Sequence, residues 1–142
     1  MPSNIRAKAV ADQENRFSRG QAIAEFALVS PLLLLFLLGV FDFGRAVSAY
    51  ITLSHAVREG ARAGIYTSST DSDIRNAINS QAGILGNLPD SNISISPSYP
   101  RASGANLQVS VAYDFTAITP LVSAFWGGGS LRISDTATVK VE

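Results

Sequence analysis

The distribution of hydrophobic positions changes three times along the chain. Residues 1–20 mix Arg6, Lys8, Arg16 and Arg19 with Asp12 and Glu14 and show no apolar period, which predicts an unfolded polar leader. From Phe26 to Phe41 no charged residue occurs in 16 positions, and Ala22 to Glu25 bring the stretch to 20. At about 1.5 Å per residue this is roughly 30 Å of helix, the thickness of a hydrocarbon core. The run passes without a break into a second helical pattern. Phe43, Val47, Tyr50, Ile51, Ser54, Val57, Ala61 and Ile65 recur at three- and four-residue intervals, opposite a row of Arg45, Ser48, Thr52, His55, Glu59 and Arg62. One helix over 21–65 is predicted, embedded in lipid first and projecting afterwards. Its apolar stripe needs cover from the head, a neighbouring subunit, or both.

From residue 66 to 142 the pattern is that of a small α+β head. Thr70-Asp71-Ser72-Asp73 supplies a capping oxygen and early acidic charge before Ile74, Ala77 and Ile78, predicting a short helix at about 71–83. Period-two alternation then takes over: Ile93 and Ile95, then Leu107 to Phe115, then Leu131 and Ile133 followed by Thr136, Thr138 and Lys140, with a shift expected near Asp135. Three antiparallel strands packed on the helix satisfy this pattern. Ser103-Gly104-Ala105 reads as a turn, whereas Ile118 to Gly129 is a longer excursion carrying Phe125 and Trp126. Those aromatics either close the open end of a small core or form a lip for a partner subunit or the membrane surface.

Charge placement sets topology and excludes several functions. Lys and Arg number 11 against 11 Asp and Glu, so no basic field draws in nucleic acid or an acidic small-molecule substrate. The absence of cysteine removes disulfides and thiolate metal sites. The basic leader keeps the N-terminus cytoplasmic and sends the head out of the cytoplasm. Asp42 and Arg45 lie three apart and predict an ion pair where the helix leaves the lipid. Pro31 withholds a hydrogen bond from the carbonyl of Ala27, which predicts a kink inside the span. His55 is the one histidine, no serine sits in a nucleophile elbow, and Gly127-Gly128-Gly129 is not followed by Lys-Ser/Thr. The expectation is a protein without catalysis, cofactor or metal.

Glu25 separates this segment from a conventional signal peptide, because a carboxylate at the mouth of an apolar run is costly unless it is paired or interfacial. Gly20 followed by Gln21-Ala22-Ile23-Ala24-Glu25-Phe26 resembles the prepilin peptidase motif, with a glycine before the cut and a glutamate fifth after it. More narrowly, residues 19–32, then Phe41-Asp42-Phe43-Gly44-Arg45 and Ala56-Val57-Arg58-Glu59-Gly60-Ala61-Arg62-Ala63-Gly64, resemble the TadE family of pilin-like proteins. The resemblance implies a pilin-like fold and a minor pilin or pseudopilin of a tight-adherence system in the bacterial inner membrane. It further implies cleavage between Gly20 and Gln21, an assembly role for Glu25 and Phe26, and three partners: the peptidase, other pilin-like subunits and an inner-membrane assembly platform. Gln21 stands where many type IV pilins carry phenylalanine.

Three classes of function follow. A filament or secretion-machine subunit is cut after Gly20; an uncleaved single-pass extracytoplasmic binding module is not cut; a secreted protein starts near residue 50.

Overall fold

The computed structural model describes residues 3–119, 123–124 and 127–142, with side chains from residue 20 onward. Helix α1 runs Ser3–Ala63. Its start lies well before the residue-21 beginning drawn from the apolar pattern, and the polar 1–20 stretch read as unfolded is helical from Ser3. Ala, Lys, Gln, Glu and Arg are good helix formers, and extending an existing helix costs far less than nucleating one. The chain divides into two compact units, Met1–Val40 and Phe41–Glu142.

In the first unit, nearly every side chain from Gly20 to Val40 is exposed. Within this unit no described residue covers the apolar window of α1, and its length and composition suit a bilayer.

The second unit is α+β, as the alternation predicts. The rest of α1 packs with α2 (Asp71–Gln81) on a sheet of β1 (Ile93–Ser96), β2 (Asn106–Phe115) and β3 (Leu131–Lys140), antiparallel in the order β1-β2-β3. A capping box starts α2: the Thr70 hydroxyl accepts the Asp73 N–H, and the Asp73 carboxylate accepts the Thr70 N–H at 2.9 Å. The helix stops at Gln81, two residues short of expectation, and a single 3₁₀ turn, Gly83–Leu85, follows.

Leu53, Val57 and Ala61 of α1, Ile74 and Ile78 of α2, and Leu107, Val109 and Val111 of β2 form the centre of the core. The β2–β3 register runs unbroken from Asn106↔Lys140 to Phe115↔Leu131, so the shift expected near Asp135 does not occur. Asp135 keeps its place on the inner face because the Ser54 hydroxyl of α1 donates to its carboxylate at 2.5 Å. Val141 is buried, and the chain beyond β3 returns to the end of α1: the Glu142 N–H donates to the Ile65 carbonyl at 2.7 Å and the Thr67 N–H to the Glu142 carbonyl at 3.2 Å. Arg101 closes the opposite loop, its buried guanidinium donating to the carbonyls of Pro97 and Ser69 and pairing with Asp71.

The buried face of α1 is not the one its large apolar residues define. Ala49, Leu53, Ala56, Val57, Gly60, Ala61 and Gly64 are buried, whereas Phe43, Val47, Tyr50 and Ile51 are exposed. Leu53 and Val57 fill the core from this face, and where α2 and β2 come closest Gly60 and Gly64 leave no room for a Cβ.

Candidate functional site

Two clusters on α1 contain the residues singled out by sequence. In the first unit, Gly20 is exposed, and a Cβ added there meets nothing within 4 Å. No packing among the described residues requires a glycine at that position. One turn of helix links the next two residues of interest, the Gln21 side-chain amide donating to a Glu25 carboxylate oxygen at 3.2 Å. Both side chains are exposed, as is Phe26. In lipid such an i,i+4 amide is a partner for a carboxylate that would otherwise be bare. Pro31 lies inside α1, which continues on both sides of it.

In the second unit Asp42 is buried at 1 % exposure. It directly follows Phe41, the last residue of the uncharged run, and so lies just beyond the span. One carboxylate oxygen accepts the Ile118 N–H at 3.0 Å and an Arg45 Nη1–H at 3.2 Å; the other accepts the Thr119 N–H at 2.8 Å. Arg45 also sits 5.2 Å over the ring of Phe115, within cation–π range. Burial alone would raise the Asp42 pKa; the two backbone N–H groups and Arg45 outweigh it and hold the group at about 2. Asp42 is therefore ionised at neutral pH. The predicted Asp42–Arg45 pair is present, but its larger role, holding the start of the β2–β3 connection, was invisible in sequence because it spans 76 residues. Phe125 and Trp126, the aromatic lip of the sequence reading, lie outside the described residues.

Sequence reasoning also passed over Gly60 and Gly64. A Cβ on Gly60 would overlap Ile78 Cγ1 and lie 2.9 Å from Ile78 Cδ1; one on Gly64 would overlap Leu107 and lie 2.7 Å from Ile74 Cδ1. These glycines let α2 and β2 approach α1. Their four-residue spacing on the buried face was the available signal. On the exposed side, Glu59 pairs with Arg62 at 2.6 Å.

An exposed apolar helix of spanning length, joined in sequence to an α+β head, fits a single-pass membrane anchor with a pilin-like layout. Within that class, residues 20–62 match a family model described as TadE-like protein. The matched segment includes Gly20, Gln21, Glu25, Phe26, Asp42, Arg45 and Gly60, and stops where the head's own helix and strands have yet to begin. The TadE-like family is a structural, pilus-related one, and the match suggests involvement in tight-adherence pilus systems. No curated protein matches the chain.

Proposed function

We propose that the chain is a minor pilin or pseudopilin of a Tad-type secretion and adherence system. In this reading residues 1–20 are a cytoplasmic leader, residues 21–65 the membrane and projecting helix, and residues 66–142 an extracytoplasmic head. A prepilin peptidase cuts between Gly20 and Gln21 at the bacterial inner membrane. The observation that carries the reading is the uncovered stripe of Phe43, Val47, Tyr50 and Ile51, spaced as i, i+4, i+7 and i+8 beyond the span. The head leaves it open, and helices of other pilin-like subunits would cover it. Gly20 stands exposed at the position that the peptidase motif assigns to the residue before the cut, which is compatible with the processing step.

Glu25 gives assembly its electrostatic element. Before cleavage the Gln21 amide is its partner. After cleavage the new ammonium on Gln21 of an adjacent subunit supplies an opposite charge, which offsets more of the desolvation cost than a neutral amide does. Intact-mass spectrometry of membrane-extracted protein should find Gln21 as the first residue. Glu25→Gln should be cut and inserted normally yet cross-link less to partner pilins. A native chain that keeps residues 1–20 beside an active peptidase, or a Glu25→Gln variant that assembles at the native level, would overturn the proposal in favour of an uncleaved membrane-anchored binding module.

A further inference from the structure

The buried carboxylate of Asp42 raises a question that helix pairing does not answer: what does it gain by holding the backbone of residues 118 and 119? Its position supplies the constraint. Asp42 is the first residue past the uncharged run of α1, so whatever it binds lies within one side chain of the lipid boundary. It binds the Ile118 and Thr119 N–H groups, at 3.0 and 2.8 Å, and both belong to the connection after β2. That connection contains no charged residue from 116 to 130, a run of 15.

In that connection Ile118 is the large apolar side chain left uncovered among the described residues, and Phe41 and Phe43 of α1 are uncovered on either side of Asp42 in sequence. Ile118 is 62 % exposed, Phe41 60 % and Phe43 71 %, the two phenylalanines flanking Asp42 in sequence. In water this is an unfavourable group of residues to display around a fixed charge. At the headgroup level of a bilayer the same group is favourable: apolar side chains reach toward the acyl boundary while the carboxylate stays satisfied inside the fold. Half-exposed Arg45 beside it suits the lipid phosphates.

We propose that the start of the β2–β3 connection, Ile118 together with Phe41 and Phe43, is a second membrane contact, seated in the headgroup layer of the bilayer that α1 spans, and that Asp42 is the positioning residue that holds it there. This rests on the single-pass membrane reading and not on assembly into a pilus. The occupant of the surface is lipid; a protein partner is the competing outcome.

The chain contains no cysteine, so one can be introduced and labelled at a single position. The full chain, carrying an environment-sensitive fluorophore at Ile118→Cys, Leu34→Cys or Ile84→Cys, is reconstituted into phosphatidylcholine vesicles brominated at shallow or deep acyl positions, with aqueous iodide as the opposing quencher. The expected result is a blue-shifted Ile118 label, quenched more by shallow than by deep bromines and shielded from iodide. The Leu34 label should report deep quenching, and the exposed Ile84 label iodide alone. Asp42→Asn should move the Ile118 label toward water and leave the other two unchanged; a merely structural carboxylate would shift the Ile84 label as well. An Ile118 label as open to iodide as Ile84 overturns the contact, and so does one shielded from iodide and bromine alike, which would mean protein cover. An unmoved label in Asp42→Asn removes Asp42 as the positioning residue. If Asp42→Asn does not fold, the native-background labels still decide the contact. If the Leu34 label escapes the deep quencher, the span itself fails and the proposal with it.

Discussion

Gly60→Ala should destabilise the head although alanine is the better helix former. Within α1 the exchange favours folding by about 1 kcal/mol through backbone entropy. Against it stands Ile78, which is fully buried and whose Cδ1 lies 2.9 Å from where the methyl would go, with Cγ1 closer still. Ordinary carbon contacts are roughly 3.5–4.0 Å, so one helix must move by about an ångström or Ile78 must leave its rotamer. Overpacking costs about 1–3 kcal/mol, and with both Ile78 atoms closer than 3.0 Å this site falls in the upper part of that range, about 2–3 kcal/mol, so a net loss of about 1–2 kcal/mol follows. Gly44 is the internal control, because a Cβ there meets nothing within 4 Å. Gly44→Ala should therefore be neutral or stabilising by up to about 1 kcal/mol. Hydrogen exchange of the β2 amides in detergent-solubilised full-length protein measures both on one scale. Combining Gly60→Ala with Ile78→Ala should cost less than the sum of the two, since the colliding atoms are gone. Equal stability of Gly60→Ala and the native chain, or additive losses in the double variant, would refute the steric account.

Three shorter expectations follow. Asp42 has its folded pKa lowered to about 2 from an ordinary 3.8, so the unfolded state binds more protons between those values. Its contribution should be complete above about pH 4 and fade as pH falls toward 2; denaturant titrations of native and Asp42→Asn protein should converge over that window. Asp42→Ala leaves two backbone N–H groups without acceptors and should cost more than Asp42→Asn, by about 1–3 kcal/mol for each orphaned group. Thr70→Ala opens the capping box of α2 and should cost about 1 kcal/mol by the same titration, with Thr70→Ser near native.

The elements were legible where the period was clean. The alternation Leu107-Val109-Val111 and the capping sequence at Thr70 each specify local geometry, and both fold as read. The α1 stripe was legible in part: Val57 and Ala61 of the predicted row reach the core, whereas Phe43, Val47, Tyr50 and Ile51 are left exposed. Here Ala49, Ala56, Gly60 and Gly64 occupy the contact, and Phe43 and Tyr50 do not. Asp42 illustrates a second limit. Its pair with Arg45 is three residues away and visible in a string; its bonds to Ile118 and Thr119 depend on a register set by β2 and cannot be read from spacing. Asp135 shows the reverse case, a polar residue read as the place of a shift in facing along the last strand when a distant serine hydroxyl made it acceptable on the inner face.

The return of the chain end to the foot of α1 governs the order in which the molecule can form. Val141 lies in the core, and Glu142 donates its N–H to the Ile65 carbonyl and accepts the Thr67 N–H on its own carbonyl, tying it to the segment that opens the head. A chain crossing a membrane N-terminal helix first therefore delivers α1 early but cannot close the head until residues 131–142 have emerged. Contacts of such long sequence separation form late. If the head is exported as proposed, a translocation arrest placed within β3 should leave the unclosed head open to protease.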